Sequence, residues 1–259
     1  MITVENLTKS FGGVAALKDC ALTIGKGSIT GLIGPNGAGK STLFDIIAGV
    51  GKADRGRITY DGREITGMAP HRLFHLGLVR TFQVPHEFAA MSVRENLMVV
   101  RPGQAGERLF TAWLRPGLVA AEERRTRAKA DEVLAFLNLD QVADLPAGSL
   151  SGGQKKLLEL GRTMMCEARM VLLDEPGAGV NPTLMGSLRD SILRLNREKG
   201  YTFCIIEHDM DLVAAMCDPV IVLSRGRVLA EGSMQEIRRD EAVLEAYFGG
   251  APDTSRASP

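Results

Sequence analysis

The stretch Gly34-Pro35-Asn36-Gly37-Ala38-Gly39-Lys40-Ser41 decides how this chain folds. It follows a short apolar run at 28–33 and precedes a segment, 41–48, with the apolar period of a helix. The pattern G-x-x-x-x-G-K-[ST] between a strand and a helix is typical of a phosphate-binding P-loop. Its glycines let backbone N–H groups turn inward around phosphate oxygens, and the helix N-terminus adds a favourable dipole. The stretch therefore predicts an α/β fold organised around a phosphate site.

Apolar segments on both sides of the P-loop predict a sheet flanked by helices. Besides 28–33, strands are predicted at 2–4, 21–24, 57–60, 79–82, 170–174, 202–207 and 220–223. The last three are almost wholly apolar, as in a parallel sheet covered on both faces. Between 84 and 159 helix formers replace strand formers, which predicts an inserted helical subdomain. We expect a discontinuous α/β core of residues 1–83 and 160–250, and the small polar residues of 251–259 predict a disordered tail.

Composition limits the classes of partner. The 259 residues include 31 basic and 31 acidic side chains, and this zero net charge favours no nucleic-acid partner. No segment is long and apolar enough to span a membrane, and the N-terminus has no export signal, so a cytoplasmic chain is expected. The four cysteines lack metal-ligand spacing and are expected to be buried, reduced thiols.

A second acidic segment completes the chemistry that the P-loop predicts. Val171-Leu172-Leu173-Asp174-Glu175 is an apolar strand that ends in two carboxylates. Next to a P-loop, Asp174 is expected to hold Mg²⁺ together with the Ser41 hydroxyl, and Glu175 to polarise an attacking water. Lys40 is expected to reach the β and γ phosphates. These residues together predict a Mg²⁺-dependent nucleoside triphosphatase.

The string Leu150-Ser151-Gly152-Gly153-Gln154 resembles the signature motif of ATP-binding cassette (ABC) proteins. In that family the motif binds the ATP held by the opposite subunit of a dimer. The resemblance therefore implies that Ser151, Gly152, Gly153 and Gln154 contact a partner's ATP. It also implies a mixed sheet flanked by helices, an N-terminal antiparallel β part, and a helical subdomain that carries the signature.

Other family landmarks follow in order along the chain. Phe11 is placed where the family stacks an aromatic ring on adenine, although Tyr is commoner there. Gln83 resembles the Q-loop glutamine, which contacts Mg²⁺ and the attacking water, and His208 resembles the switch histidine, which contacts the γ phosphate. The resemblance assigns ATP and Mg²⁺ as cofactors, with these phosphate-site residues: Gly34, Pro35, Asn36, Gly37, Ala38, Gly39, Lys40, Ser41 and Thr42.

Two sets of residues depart from the family pattern. Asn181 stands where many cassettes have the aspartate of the D-loop, which weakens any role there in coupling the two subunits. His71, His75 and His86 match no family position, so they are expected to be surface or packing residues.

The resemblance is strongest to the larger ATPase subunit of branched-chain amino-acid (Liv-type) importers. It rests on Arg80-Thr81-Phe82-Gln83, Ile206-Glu207-His208-Asp209-Met210, Glu245-Ala246-Tyr247-Phe248-Gly249 and the residues 175–182. It implies a second cassette as partner, two membrane permease subunits, and indirectly an extracytoplasmic solute-binding protein. It also implies a peripheral position on the cytoplasmic face of the inner membrane. Homodimer and heterodimer both stay open.

Three alternatives remain at this stage. Closely similar cassettes import urea or other amides, and others export lipid or lipopolysaccharide. A soluble cassette acting on DNA, ribosomes or iron–sulfur assembly is a further reading. It is disfavoured because the chain has one cassette, no sustained heptads and no basic excess.

Overall fold

The computed structural model describes residues 1–81, 87–103, 113 and 116–248. Within these residues the chain forms two compact units. The first unit contains residues 1–76, 172–175 and the described chain from 202 onward, and the second contains the described part of 77–171 together with 176–201. These limits follow contacts and differ from the predicted subdomain limits, which stay a prediction. The predicted tail, 251–259, lies outside the described residues.

The first unit begins with an antiparallel sheet. Its strands are β1 (Ile2–Phe11), β2 (Val14–Ile24), β4 (Arg55–Tyr60) and β5 (Arg63–Glu64), in the order β2-β1-β4-β5. Ile2 pairs with Ile24 on one side and with Tyr60 on the other. The register shifts after Val4. Such bulges break the two-residue alternation by which a strand is recognised in a sequence, which is why the predicted strand, 2–4, ends well before β1 does. This sheet is the antiparallel part that the resemblance implied.

The first unit also contains most of a mixed sheet. Its strands there are β3 (Ile29–Ile33), β8 (Thr202–Ile206), β9 (Val220–Ser224), β10 (Arg227–Gly232) and the second half of β7 (Met170–Asp174). The order is β10-β9-β3-β8-β7. β3 pairs in parallel with β8 and β9, whereas β10 is antiparallel to β9. All residues of β3, β7 and β8 are buried, which is why these strands read as continuous apolar runs.

Helices join the strands of the first unit. They are α1 (Lys40–Ile47), α2 (Pro70–His75), α7 (Met210–Met216), α8 (Met234–Ile237) and α9 (Glu241–Phe248). α1 buries Leu43, Phe44 and Ile47 and starts directly after the P-loop. The P-loop therefore lies at the carboxyl end of β3, the edge where α/β sheets bind ligands.

The second unit is mainly helical. It contains β6 (Leu78–Arg80), the start of β7, and the helices α3 (Val93–Met98), α4 (Pro116–Phe136), α5 (Gly152–Met165) and α6 (Pro182–Lys199). Two 3-10 helices, Asp140–Val142 and Ala147–Ser149, lie between α4 and α5. A Cβ atom added at Gly161 of α5 would lie 3.0 Å from Leu97 of α3 and 3.1 Å from Val133 of α4, so the small residue lets three helices pack closely.

Several minor expectations can be compared with the described residues. His71 and His75 are exposed, as expected, and His86 lies outside the described residues. Three cysteines are buried, but Cys166 is only half-buried and donates a hydrogen bond to the Val100 carbonyl. Among the described helices, none combines the length and apolarity needed to cross a membrane.

Candidate functional site

The P-loop connects β3 to α1 with a backbone that requires glycine. Gly34 has φ +148°, and a Cβ atom there would lie 2.0 Å from the Leu223 carbonyl oxygen. Gly37 has φ +78°, and no atom lies within 4 Å of the position its Cβ would take. Gly34 therefore permits a close backbone approach, and the space beside Gly37 is open.

Lys40 points into this loop from the first turn of α1. Its side chain is buried, and Nζ donates to the Gly34 carbonyl at 2.7 Å and to the Pro35 carbonyl at 3.2 Å. Burial lowers the pKa of Lys40, while the nearby carboxylates of Glu175 and Asp174 oppose that change. The P-loop lysine therefore lies within electrostatic reach of the two acids at the end of β7.

The two acids differ in exposure and backbone conformation. Asp174 is buried at the end of β7, whereas Glu175 is partly exposed and has φ +48°. A non-glycine residue in this left-handed region is uncommon. The Glu175 amide donates to the Ile206 carbonyl at 2.9 Å, which fixes Glu175 against the end of β8. The Glu175 backbone is thus in an uncommon conformation, and its carboxylate keeps partial access to solvent.

His208 meets Glu175 at this edge. Its Nε2 atom lies 3.0 Å from Glu175 Oε1. Because an ionised carboxylate only accepts hydrogen bonds, this contact assigns the proton to Nε2. The His208 amide donates to the buried Glu207 carboxylate at 3.0 Å, and Asp209 caps α7 through the amides of Asp211 and Leu212. Hydrogen bonds of the two neighbouring residues, Glu207 and Asp209, therefore fix the backbone around His208.

Phe11 lies at the end of β1 with its ring 58% exposed. Lys9 Nζ lies 5.1 Å from the ring centroid, within cation–π range. Asp54 holds this corner, since it accepts from Lys9 Nζ at 3.0 Å and from the Ser10 amide at 2.7 Å. These hydrogen bonds, from Lys9 first and then Ser10, lower the pKa of Asp54. An exposed ring with a fixed backbone is suited to stacking on a flat base.

Comparison with known proteins shows to which family the chain belongs. A family model described as "ABC transporter" matches residues 17–178, which is more than half of the chain.

The chain belongs to the ABC transporter family.

Two relatives and one solved structure resemble this cassette over nearly its whole length. A probable branched-chain amino acid transport ATP-binding protein, LivG of Archaeoglobus fulgidus, is 41% identical over 96% of this chain and 95% of its own. The high-affinity branched-chain amino acid transport ATP-binding protein BraF of Pseudomonas aeruginosa is 36% identical over 97% and 98%. The ADP conformation of an ATP-binding cassette of an ABC transporter has a TM-score of 0.82 at 39% identity, covering 96% and 98%.

The C-terminal segment has a match of its own. A model described as "Branched-chain amino acid ATP-binding cassette transporter" covers residues 227–253. The cassette is thus a nucleotide-binding ATPase of the ABC type, as the motifs predicted.

The signature of this cassette lies at the start of α5 in the second unit. Ser151 caps the helix: its hydroxyl accepts from the Gln154 amide at 3.3 Å, and Gln154 Oε1 accepts from the Ser151 amide at 3.0 Å. Ser151 and Gly152 are exposed. Gly153 is buried, and its Cβ would lie 2.6 Å from Leu184. The motif thus presents a hydroxyl and a helix N-terminus to solvent, while its second glycine serves packing.

The departure at the D-loop position has a local explanation. The Asn181 side chain caps α6, accepting from the Leu184 amide at 2.9 Å. Asn and Asp are equally good N-caps, so this position is satisfied without a charge.

The donor set of the cassette fits Mg²⁺. The exposed Ser41 in the first turn of α1 and the Asp174 carboxylate are oxygen donors, the kind Mg²⁺ prefers. Among the described residues, no cluster of three or more His, Cys, Asp or Glu side chains could hold a metal. Mg²⁺ typically binds one or two protein oxygens and completes its shell with phosphates and water, so a small donor set agrees with it. Gln83, the third predicted ligand, lies outside the described residues.

Some supporting residues of the site were not predicted. The sequence predicted no role for Glu207, Asp209 or Lys9, which position His208 and Phe11. The acids on either side of His208 were a usable signal, because an Asp before a helical segment is a common N-cap. The pairing of Lys9 with Asp54 had no local signal, since 45 residues separate the two.

Proposed function

We propose that this cassette hydrolyses ATP with Glu175 polarising the attacking water and His208 contacting the γ phosphate. The observation that supports this most is the 3.0 Å contact between His208 and Glu175, with the Lys40 ammonium held in the loop nearby. The water oxygen bonds to the γ phosphorus, the bond to the β–γ bridging oxygen breaks, and ADP and phosphate form.

Other residues of the first unit, together with Gln83, are proposed to hold the substrate. Backbone amides of the loop from Gly34 to Thr42 surround the phosphates, Lys40 neutralises them, and Phe11 stacks on adenine. Ser41, Asp174 and Gln83 are the proposed ligands of Mg²⁺, which when bound neutralises charge on the β and γ oxygens. The exposed Phe11 ring and the open space at Gly37 support this arrangement.

A second cassette completes the nucleotide site. Ser151, Gly152, Gly153 and Gln154 are proposed to contact the ATP of the opposite subunit, in a homodimer or a heterodimer. The exposed N-terminus of α5 supports this role, because its free amides favour an anion. ATP then favours closure, since these hydrogen bonds form only while the γ phosphate is present, and hydrolysis removes them.

The closing and opening of this dimer is proposed to power uptake of branched-chain or related amino acids through two permease subunits. The names of the relatives and the model matching residues 227–253 support this solute class. The cassette is proposed to act at the cytoplasmic face of the inner membrane, with an extracytoplasmic solute-binding protein as an indirect partner.

Co-purification tests the transport proposal. Tagged Glu175→Gln protein is isolated with Mg-ATP from gently solubilised native membranes, with Lys40→Ala as the control that cannot trap ATP. Two multi-span permeases and a second cassette, enriched with Glu175→Gln only, are the expected result. The solute-binding protein from the same system is then titrated with leucine and with urea. Soluble or nucleic-acid partners alone would remove transport and leave the ATPase.

A further inference from the structure

The last helix of the first unit borders the outer face of the P-loop. A cavity of about 590 Å³ separates the two, with Pro35, Asn36, Gly37 and Ala38 on one wall and Ala242, Glu245 and Ala246 of α9 on another. The remaining lining comes from the end of β9, the following turn and the start of β10: Ser224, Arg225, Arg227, Val228 and Leu229. One side of the P-loop thus faces the C-terminal helix across this cavity. The proposed ATPase mechanism gives that side no role.

The β9–β10 turn fixes the later part of the loop from this side. The Gly226 amide donates to the Ala38 carbonyl at 3.0 Å, and the Gly226 carbonyl accepts from the Lys18 amide at 2.9 Å. The backbone at Gly34, the first residue of the loop, runs so close to β9 that a Cβ atom there would lie 2.0 Å from the Leu223 carbonyl oxygen. The later part of the loop is therefore bonded to this turn at Ala38, whereas at its beginning the Gly34 carbonyl accepts from Lys40 Nζ.

Tyr247 is the α9 side chain that reaches Gly34. Its hydroxyl oxygen is buried, and among the described residues it has no hydrogen-bond partner of standard geometry. Burial raises the pKa of Tyr247, and the Gly34 amide opposes part of that rise. The Gly34 N–H therefore faces a buried oxygen that has an unused capacity to accept a hydrogen bond.

We infer that Tyr247 is a positioning residue for the P-loop: its hydroxyl accepts a hydrogen bond from the Gly34 amide when the loop closes around phosphate. The inference rests on the proposed phosphate role of residues 34–42. The buried hydroxyl has no hydrogen bond of standard geometry, which costs free energy. On this inference a hydrogen bond from Gly34 that forms with phosphate bound removes that cost, so Tyr247 favours the phosphate-bound form.

The alternative is that the Tyr247 ring only packs. The substitution Tyr247→Phe distinguishes the two hypotheses, because it removes the hydroxyl oxygen and keeps the ring. If Tyr247 only packs, loss of a poorly paired hydroxyl leaves the affinity for nucleotide unchanged. If Tyr247 positions Gly34, affinity falls while the melting temperature of the nucleotide-free protein stays the same or rises.

The experiment compares wild type, Tyr247→Phe and the matched control Tyr60→Phe, whose buried ring lies in β4 of the same unit. Dissociation constants are measured for Mg-ATP and for Mg-tripolyphosphate, which tests the phosphate part alone. We expect Tyr247→Phe to raise both constants about three- to tenfold, as for loss of one hydrogen bond, with no drop in Tm. Tyr60→Phe is expected to leave both constants unchanged.

Amide spectra give a second, direct measurement. In ¹⁵N-labelled protein the Gly34 amide proton is expected to shift downfield on binding Mg-ATP in wild type and to shift less in Tyr247→Phe. Constants within about 1.5-fold of wild type, or an unaltered Gly34 shift, would overturn the inference. A wild-type protein that binds neither Mg-ATP nor Mg-tripolyphosphate would instead overturn the proposed function.

Discussion

The Nε2 atom of His208 lies 3.0 Å from Oε1 of Glu175, and neither side chain is deeply buried, at 47% and 25% exposure. A pair this open to water contributes little to folding. The contact instead orients the Glu175 carboxylate, because the histidine fixes the rotamer of a residue whose backbone already has φ +48°. Substitutions here are therefore expected to change turnover more than stability.

Glu175→Gln is expected to lower kcat for ATP about 100-fold or more, because the amide cannot accept a proton from the attacking water. Affinity for Mg-ATP should stay near that of wild type, since the P-loop is intact. Phosphate release and equilibrium binding measure the two effects. Glu64→Gln, at an exposed acid in β5, is the control. Near-normal turnover of Glu175→Gln would show that another group polarises the water.

The His208–Glu175 contact is tested by a double-mutant cycle. His208→Ala alone should reduce kcat, because the carboxylate loses its orienting partner. Combined with Glu175→Gln it should reduce kcat by less than the product of the single effects, since the two groups act as one unit. His75→Ala, at an exposed histidine of α2, should have no effect. Strictly multiplicative losses would mean that the two residues act independently.

The two signature glycines are expected to respond differently to alanine. Gly153→Ala places a methyl group 2.6 Å from Leu184 and should lower the free energy of unfolding by about 1–3 kcal/mol. Gly152→Ala meets only the Gly179 carbonyl oxygen, at 3.4 Å, so it should affect turnover more than stability. Denaturant midpoints and ATPase rates separate the two effects.

Gly186→Ala is the control for the signature glycines. Gly186 lies within α6 and has no atom within 4 Å of its Cβ position. Alanine there should raise stability by roughly 0.5–1 kcal/mol through helix propensity alone. If Gly153→Ala were as stable as Gly186→Ala, the packing role given to Gly153 would be wrong.

Asn181 is expected to act through its cap on α6. Asn181→Ala should lower the free energy of unfolding by about 1 kcal/mol. Asn181→Asp should be neutral or slightly stabilising, because a carboxylate also caps and interacts favourably with the helix dipole. Thermal melting and ATPase assays of both variants measure this. An Asp variant that folds normally but loses turnover would reveal a role beyond capping.

Much of the fold followed from continuous apolar runs. β7 has the predicted bounds and β8 and β9 differ by one residue, because strands buried on both faces leave a plain signal. β10 was not predicted. Its residues are alternately exposed and half-buried and include Arg227 and Glu231, so its stability comes from pairing with β9 and not from its own composition.

Motifs placed the candidate site, but contacts within it required the structure. The sequence predicted Lys40, Asp174 and Glu175 together, since strand ends meet at one edge of a sheet. It gave no sign that Glu175 adopts a left-handed backbone, because glutamate has no preference for that region. The sequence likewise gave no sign that Tyr247 lies near Gly34, since that proximity depends on how a helix far along the chain packs.

In the proposed dimer, the cap formed by Ser151 and Gln154 also bears on how fast the two subunits associate. A recognition segment that must fold on contact slows association and loses ordering entropy on binding. Here the hydrogen bonds between Ser151 and Gln154 already fix the segment in a single chain. If two cassettes pair through this segment as proposed, their encounter is limited by diffusion and mutual orientation, because the segment is already folded.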